Sequence, residues 1–308
     1  MIRRFFRNPL GATGLALVAL PVLAALVSLV WTPYDPTAFS PVDRWLPPSG
    51  AHPLGTDAGG RDLFSVLLAG AQSTMLATII ATTVAVALGL PLALATVLLP
   101  RRLGALLERG VDIAIAFPVL VLAIILVTSY GASVWTSSLA IGLGSSVVVA
   151  RTLTPELRGL LVSPFITLAT AGGVGTLGVL RRHVMPNIAP TLLVRTTQLL
   201  GVSALAEAGL SYLGFGTPPP TPSWGRTLSD LQAQVLTRPE VLIAPSVAII
   251  ILVLGFSLLG DALRDALEPS QHGVPGRARP TPASPRLPLD PPLSAQPSQP
   301  ASERKVSA

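Results

Sequence analysis

From Leu63 to Leu99 the chain runs 37 residues without one charged side chain. At a rise of ~1.5 Å per residue, a single helix of that length would outrun the ~30 Å hydrocarbon core of a bilayer. The run carries a small polar group at Gly70, Gln72, Ser73 and Thr74. It therefore reads as a short interfacial helix from Asp62 to Gln72, followed by a membrane span from Ser73 to Leu99. Pro100, Arg101 and Arg102 close it.

Composition extends this reading to the whole chain. Half of the 308 residues are apolar and only 12% are charged, where a soluble domain has about 25%. Mean hydropathy is +0.64. An all-α integral membrane protein with several spans is expected. A first span runs from Leu10 to Trp31, longer than the ~7–15 apolar residues of a signal peptide, so residues 1–31 read as an uncleaved anchor helix. Residues 32–72 read as an external loop ending in the interfacial helix. Residues 73–268 read as the core, with further spans over Val111–Ser129 (kinked at Pro118), Ser133–Ala150, Ile188–Leu213 and Val241–Gly260. The total is six membrane helices.

Charge gives the orientation. Arg3, Arg4, Arg7, Arg101, Arg102, Arg109, Arg151, Arg158, Arg181, Arg182 and Arg264 fall on one side, against Arg44, Arg61, Arg226 and Arg238 on the other. The positive-inside rule places both termini and residues 163–187 in the cytoplasm. Because the arginines lie between apolar runs, the basic balance reflects topology and contact with lipid, and no nucleic-acid partner is expected. Residues 269–308 hold ten prolines and read as a disordered cytoplasmic tail.

Several chemistries find no support. The chain has no cysteine, and His52, His183 and His272 lie far apart, so no metal site is expected. The sole lysine, Lys305, follows Arg304 and lies outside any Gly-Lys-Ser/Thr sequence, so this chain has no P-loop for ATP. No Ser-His-Asp set or carboxylate pair at catalytic spacing stands out, and no catalytic residue is assigned.

The segment PFITLATAGGVGTLGVLRRHVMPN, residues 164–187, is small, glycine-broken and set between two spans. Ser163 with Pro164 marks a helix start, and Gly172 and Gly173 mark its end. Pro186 is expected to break a second short piece before the next span. Phe165 and Leu168 leave the helix with an apolar face that suits docking on another protein. By the residues alone, a re-entrant or interfacial connection is equally open.

This segment resembles the coupling, or EAA, loop of ABC importer permeases. Thr167, Leu168 and Ala169 stand in the Glu-Ala-Ala place, Gly173 in the glycine place, and Arg182 to Asn187, with Pro186, close the motif. HPLGTDAGGRD (52–62), ALAEAGLSYLGFGTPPPTPSWG (204–225) and LLGDALRDALEP (258–269) resemble the C-type permease subunit of dipeptide, oligopeptide and nickel importers. The resemblance covers about residues 1–270. It implies a type I ABC importer permease fold with a cytoplasmic coupling helix, in a bacterial inner membrane. It also implies ATPase docking through Phe165, Thr167, Leu168, Ala169, Gly173, Arg182 and Pro186. Implied partners are a homologous second permease forming a heterodimer, two ATPases and an extracytoplasmic binding protein. ATP and magnesium would sit on the ATPases, with no cofactor on this chain. Thr167 and Leu168 depart from the pattern's glutamate and first alanine, which bears on the strength or preferred partner of the ATPase contact.

Other positions keep two readings each. Glu207, inside a span, is a pathway or gating residue, as Pro118 would be at its kink, or else an interhelical hydrogen-bond partner. Arg195 is expected to snorkel toward the cytoplasmic face. Asp57, Arg61 and Asp62 either fix the external loop or meet the binding protein, and Trp224 is expected to anchor the external crossing at the membrane interface. The cargo stays open among di- and oligopeptides, nickel chelates and other small solutes. An intramembrane enzyme or assembly factor would need convergent polar side chains from two spans, and a lone secondary transporter would need two matching halves.

Overall fold

The computed structural model describes residues 9 to 267, and its named elements there are all helices. The basic cluster Arg3, Arg4 and Arg7, and the proline-rich tail read over 269–308, lie outside the described residues. The helices are α1 (Pro9–Ser28), α2 (Leu63–Leu98), α3 (Arg101–Ile115), α4 (Val119–Tyr130), α5 (Val134–Leu161), α6 (Pro164–Ala171), α7 (Thr176–Val179), α8 (Met185–Tyr212), α9 (Trp224–Leu231) and α10 (Glu240–Leu267). Five described helical segments are long and apolar enough to cross a membrane, and a sixth arises if α3 and α4 count as one bent span.

α2 lies at the centre, packed along α5 and touching α1 and α8, while α10 packs on α1 and α8. Small residues let α2 and α5 approach closely. A methyl group on Gly89 would strike the Ser146 carbonyl and the Val149 side chain, and one on Gly142 would strike Val84. Helices in lipid associate through such close backbone contact, since burying apolar surface gains little there. The outward faces carry exposed Leu20, Leu23, Leu205, Ile250 and Leu254, the surface a hydrocarbon solvent requires.

Four boundaries differ from the sequence reading. α2 is one continuous helix of 36 residues, with no separate interfacial piece. Its polar group does not mark a helix end. Ser73 Oγ donates to the Pro222 carbonyl at 2.6 Å, and Thr74 Oγ1 accepts from the Trp224 amide at 3.4 Å, so a distant segment satisfies it.

Pro118 breaks the third span. α3 and α4 meet at 84°, and Pro118 is the extended cap residue of α4, exposed to the surroundings. The expected single span over 111–129 is thus the end of one helix and the whole of another. α3 instead lies against α5.

α5 does not stop at Arg151 but continues to Leu161. Arg151 pairs with Asp112 at 3.0 Å, and Arg158 pairs with Glu108 at 2.6 Å, so the acids of α3 neutralise the basic stretch of α5.

Pro186 does not break the chain before α8. A π-helical turn over Leu180–Val184 leads from α7 directly into α8, and Pro186 sits in the first turn, where a missing N–H is tolerated. The Asn187 side chain donates to the His183 carbonyl at 2.6 Å.

Candidate functional site

α6 is an eight-residue helix between α5 and α7. Ser163 has the extended backbone of a cap residue, φ −70° and ψ 147°, and Pro164 follows in the first turn. Its hydroxyl turns back to the Leu160 carbonyl, while its own carbonyl accepts from the Ile166 and Thr167 amides at 3.1 Å. The helix ends in a Schellman motif. Gly173 has φ +84°. Its amide bonds the Thr170 carbonyl at 3.0 Å, and the Val174 amide bonds the Ala169 carbonyl at 3.1 Å.

One side chain seats α6 on the bundle. Ile166 is 3% exposed and joins a core with Leu157 of α5, Val179 of α7, Val184, and Ile188 of α8. The other side is open, with Leu168 72% and Leu177 77% exposed. Phe165, Thr167, Gly173, Arg182 and Pro186 are exposed as well, and Ala169 is half-buried. The Phe165 and His183 rings lie 6.4 Å apart, bringing the start of α6 beside the π-turn that carries Arg182. Thr167 is uncharged, and its hydroxyl turns back onto the helix, donating to the Ser163 carbonyl at 3.2 Å. Val162 and Leu177 belong to the same segment's exposed apolar surface and were missed in the motif reading. Their signal was an uncharged apolar residue beside a turn.

The opposite end of α8 carries the second cluster. Glu207 is 1% exposed. Ser211 Oγ donates to its Oε1 at 2.6 Å and accepts from the Thr217 amide at 3.3 Å. Its Oε2 and the Thr217 hydroxyl have no protein partner among the described residues. Glu207 is thus tied through Ser211 to the crossing between α8 and α9. Arg195 is not near it. Arg195 lines a cleft with Gln198 and Arg264 near the end of α10.

Trp224 does not lie at a lipid interface. It is 2% exposed and belongs to a core that includes Ala71, Met75, Ala208 and Phe256. Asp57, Arg61 and Asp62 hold the 32–62 loop. Asp57 accepts from the Gly59 and Arg61 amides at 2.7 and 2.9 Å, and from Arg61 Nε at 2.6 Å. Asp62 caps α2 through the Ser65 amide at 2.8 Å and meets His52 Nδ1 at 3.0 Å. In the same loop, the Thr37 hydroxyl and amide hold the Asp35 carboxyl below the ordinary carboxylate range.

Residues 85–273 match the family model described as the binding-protein-dependent transport system inner membrane component. The chain belongs to this permease family. Residues 1–48 match the N-terminal transmembrane domain of oligopeptide transport permease C. The permease is 34% identical over 272 residues to the glutathione transport system permease protein GsiD of Escherichia coli O157:H7, covering 88% of this chain and 90% of that one. It is 35% identical, with the same coverage, to the GsiD protein of Shigella dysenteriae serotype 1. It is accordingly the multi-pass inner-membrane permease component of an ABC importer, a class that works with ATPase and binding-protein partners.

Proposed function

We propose that this permease forms one half of a pore importing short peptides, in a heterodimer with a homologous permease. The similarity to a glutathione permease and to oligopeptide permease C supports a peptide cargo. The arginine distribution supports cytoplasmic termini and a cytoplasmic α6. Two ATPases, holding ATP and magnesium, grip the exposed face of α6, and an extracytoplasmic binding protein delivers the peptide at the opposite end.

The observation that carries this reading is the two-sidedness of α6. Ile166 is locked into a core shared by α5 and α8, while Leu168 beside it is open. A partner pulling on the open face moves α6 as a rigid handle, and the buried face transmits that motion to the spans. ATP-driven closure of the ATPases then shifts the pore between inward-open and outward-open states by binding one of them more tightly.

Because the chain has no cysteine, a single cysteine is a clean probe. Leu168→Cys should crosslink to an ATPase subunit in native membranes, and the crosslink should abolish uptake of labelled short peptide. Full solvent labelling of that cysteine without any ATPase crosslink would overturn the coupling role.

A further inference from the structure

Three of the four arginines read to the external side converge on one cleft. Arg44 and Arg61 come from the 32–62 loop and Arg226 from α9, around a volume of 670 Å³ also lined by Phe39, Pro219 and Asp230. The fourth, Arg238, lies elsewhere, its guanidinium bonded to the Trp45 carbonyl at 2.9 Å.

The acids within the cleft are engaged. Asp57 is taken by Arg61 at 2.6 Å. Asp230 is shared, at 3.0 Å from Arg226 and 3.4 Å from Arg61. The Phe39 ring also lies 5.6 Å under the Arg61 guanidinium. Two guanidiniums are thus held in place by two carboxylates, and Arg44 is left exposed with no ion pair among the described residues. The cleft carries one uncompensated positive charge beside two fixed guanidiniums that retain free N–H donors.

We infer that this cleft receives an acidic side chain of the extracytoplasmic binding protein. The inference rests on the importer reading above. Its walls come only from the loop and from residues 219–231, with no residue of a membrane span, so a solute moving through the bundle would not meet it. A protein seated on the loops would. A carboxylate fits the excess charge and the fork geometry of arginine, and the charge would steer the approach of an acidic partner.

The test uses the intact transporter in lipid nanodiscs and the binding protein recovered with it. Arg44→Glu and Arg226→Glu should each slow association about tenfold or more at low salt, with little effect in high salt. Arg238→Glu, outside the cleft, should not. Arg44→Ala keeps the test open if the reversals fail to insert. Unchanged association with intact ATPase assembly would overturn this inference and leave the importer reading standing. Lost uptake with undisturbed association would assign the carboxylate to the peptide and also overturn it. Recovery of neither ATPase nor binding protein would overturn both.

Discussion

The Trp224 indole N–H donates to the Leu67 carbonyl at 2.9 Å, joining the first residue of α9 to the first turns of α2 across 157 positions. That bond and the packing of the ring fix the crossing between α8 and α9 onto the central helix. Gly225 completes the fit, since any side chain there would strike the Ala208 backbone.

Trp224→Ala should therefore lower stability by about 3–5 kcal/mol, the cost of emptying a large buried aromatic site. Trp224→Phe, which keeps most of the apolar area and loses the N–H, should cost only about 0.5–1.5 kcal/mol, because the Leu67 carbonyl keeps its place in the helical ladder of α2. Thermal unfolding in detergent measures both. Equal melting of Trp224→Phe and the parent would show that the bond contributes nothing.

Ile166 and Leu168 should separate anchoring from docking. Ile166→Ala removes the only buried side chain of α6 and should cost about 2–5 kcal/mol locally. It should uncouple uptake while ATPases still bind. Leu168→Ala should leave melting unchanged and weaken ATPase co-purification. The reverse pattern would exchange the two roles.

At Gly173 the constraint is backbone conformation alone. Its φ is +84°, and a built Cβ would meet nothing within 4 Å. Gly173→Val should disturb the Schellman turn at a cost of about 1–2 kcal/mol and reduce uptake. Gly173→Asn, a residue that tolerates the left-handed region, should largely preserve uptake. Equal loss in both variants would point to contact with a partner instead.

The Glu108–Arg158 pair is partly exposed, and its coupling energy should be only ~0.2–1 kcal/mol in a double-mutant cycle. Glu108→Gln should thus melt close to the parent. A coupling several times larger would place this pair in a drier setting than the structure shows.

Glu207→Gln should fold, because the amide oxygen still accepts from Ser211. Glu207→Leu should cost about 1–3 kcal/mol by removing that acceptor from a buried hydroxyl. If Glu207→Gln folds normally but loses uptake, the ionisable carboxyl group serves the pathway. Full uptake assigns Glu207 to structure.

Much of this was legible along the chain. Long apolar runs marked α1, α2, α5, α8 and α10, since the bilayer penalises charge locally wherever it falls. Ser163, Pro164, Gly172 and Gly173 bounded α6, since caps act over a few residues. What depended on distant partners was not legible. The polar stretch read as a helix end because the partners of Ser73 and Thr74, Pro222 and Trp224, lie some 150 positions away. Arg151 read as a stop because Asp112, which neutralises it, sits on another helix. Trp224 read as an interface anchor because only packing shows that it is buried, in a core that includes Ala71 and Met75. Local backbone and solvent preferences were thus set by the sequence itself. Tertiary structure decided which polar groups end a helix and which are satisfied across it, because that turns on partners brought together only when the helices pack.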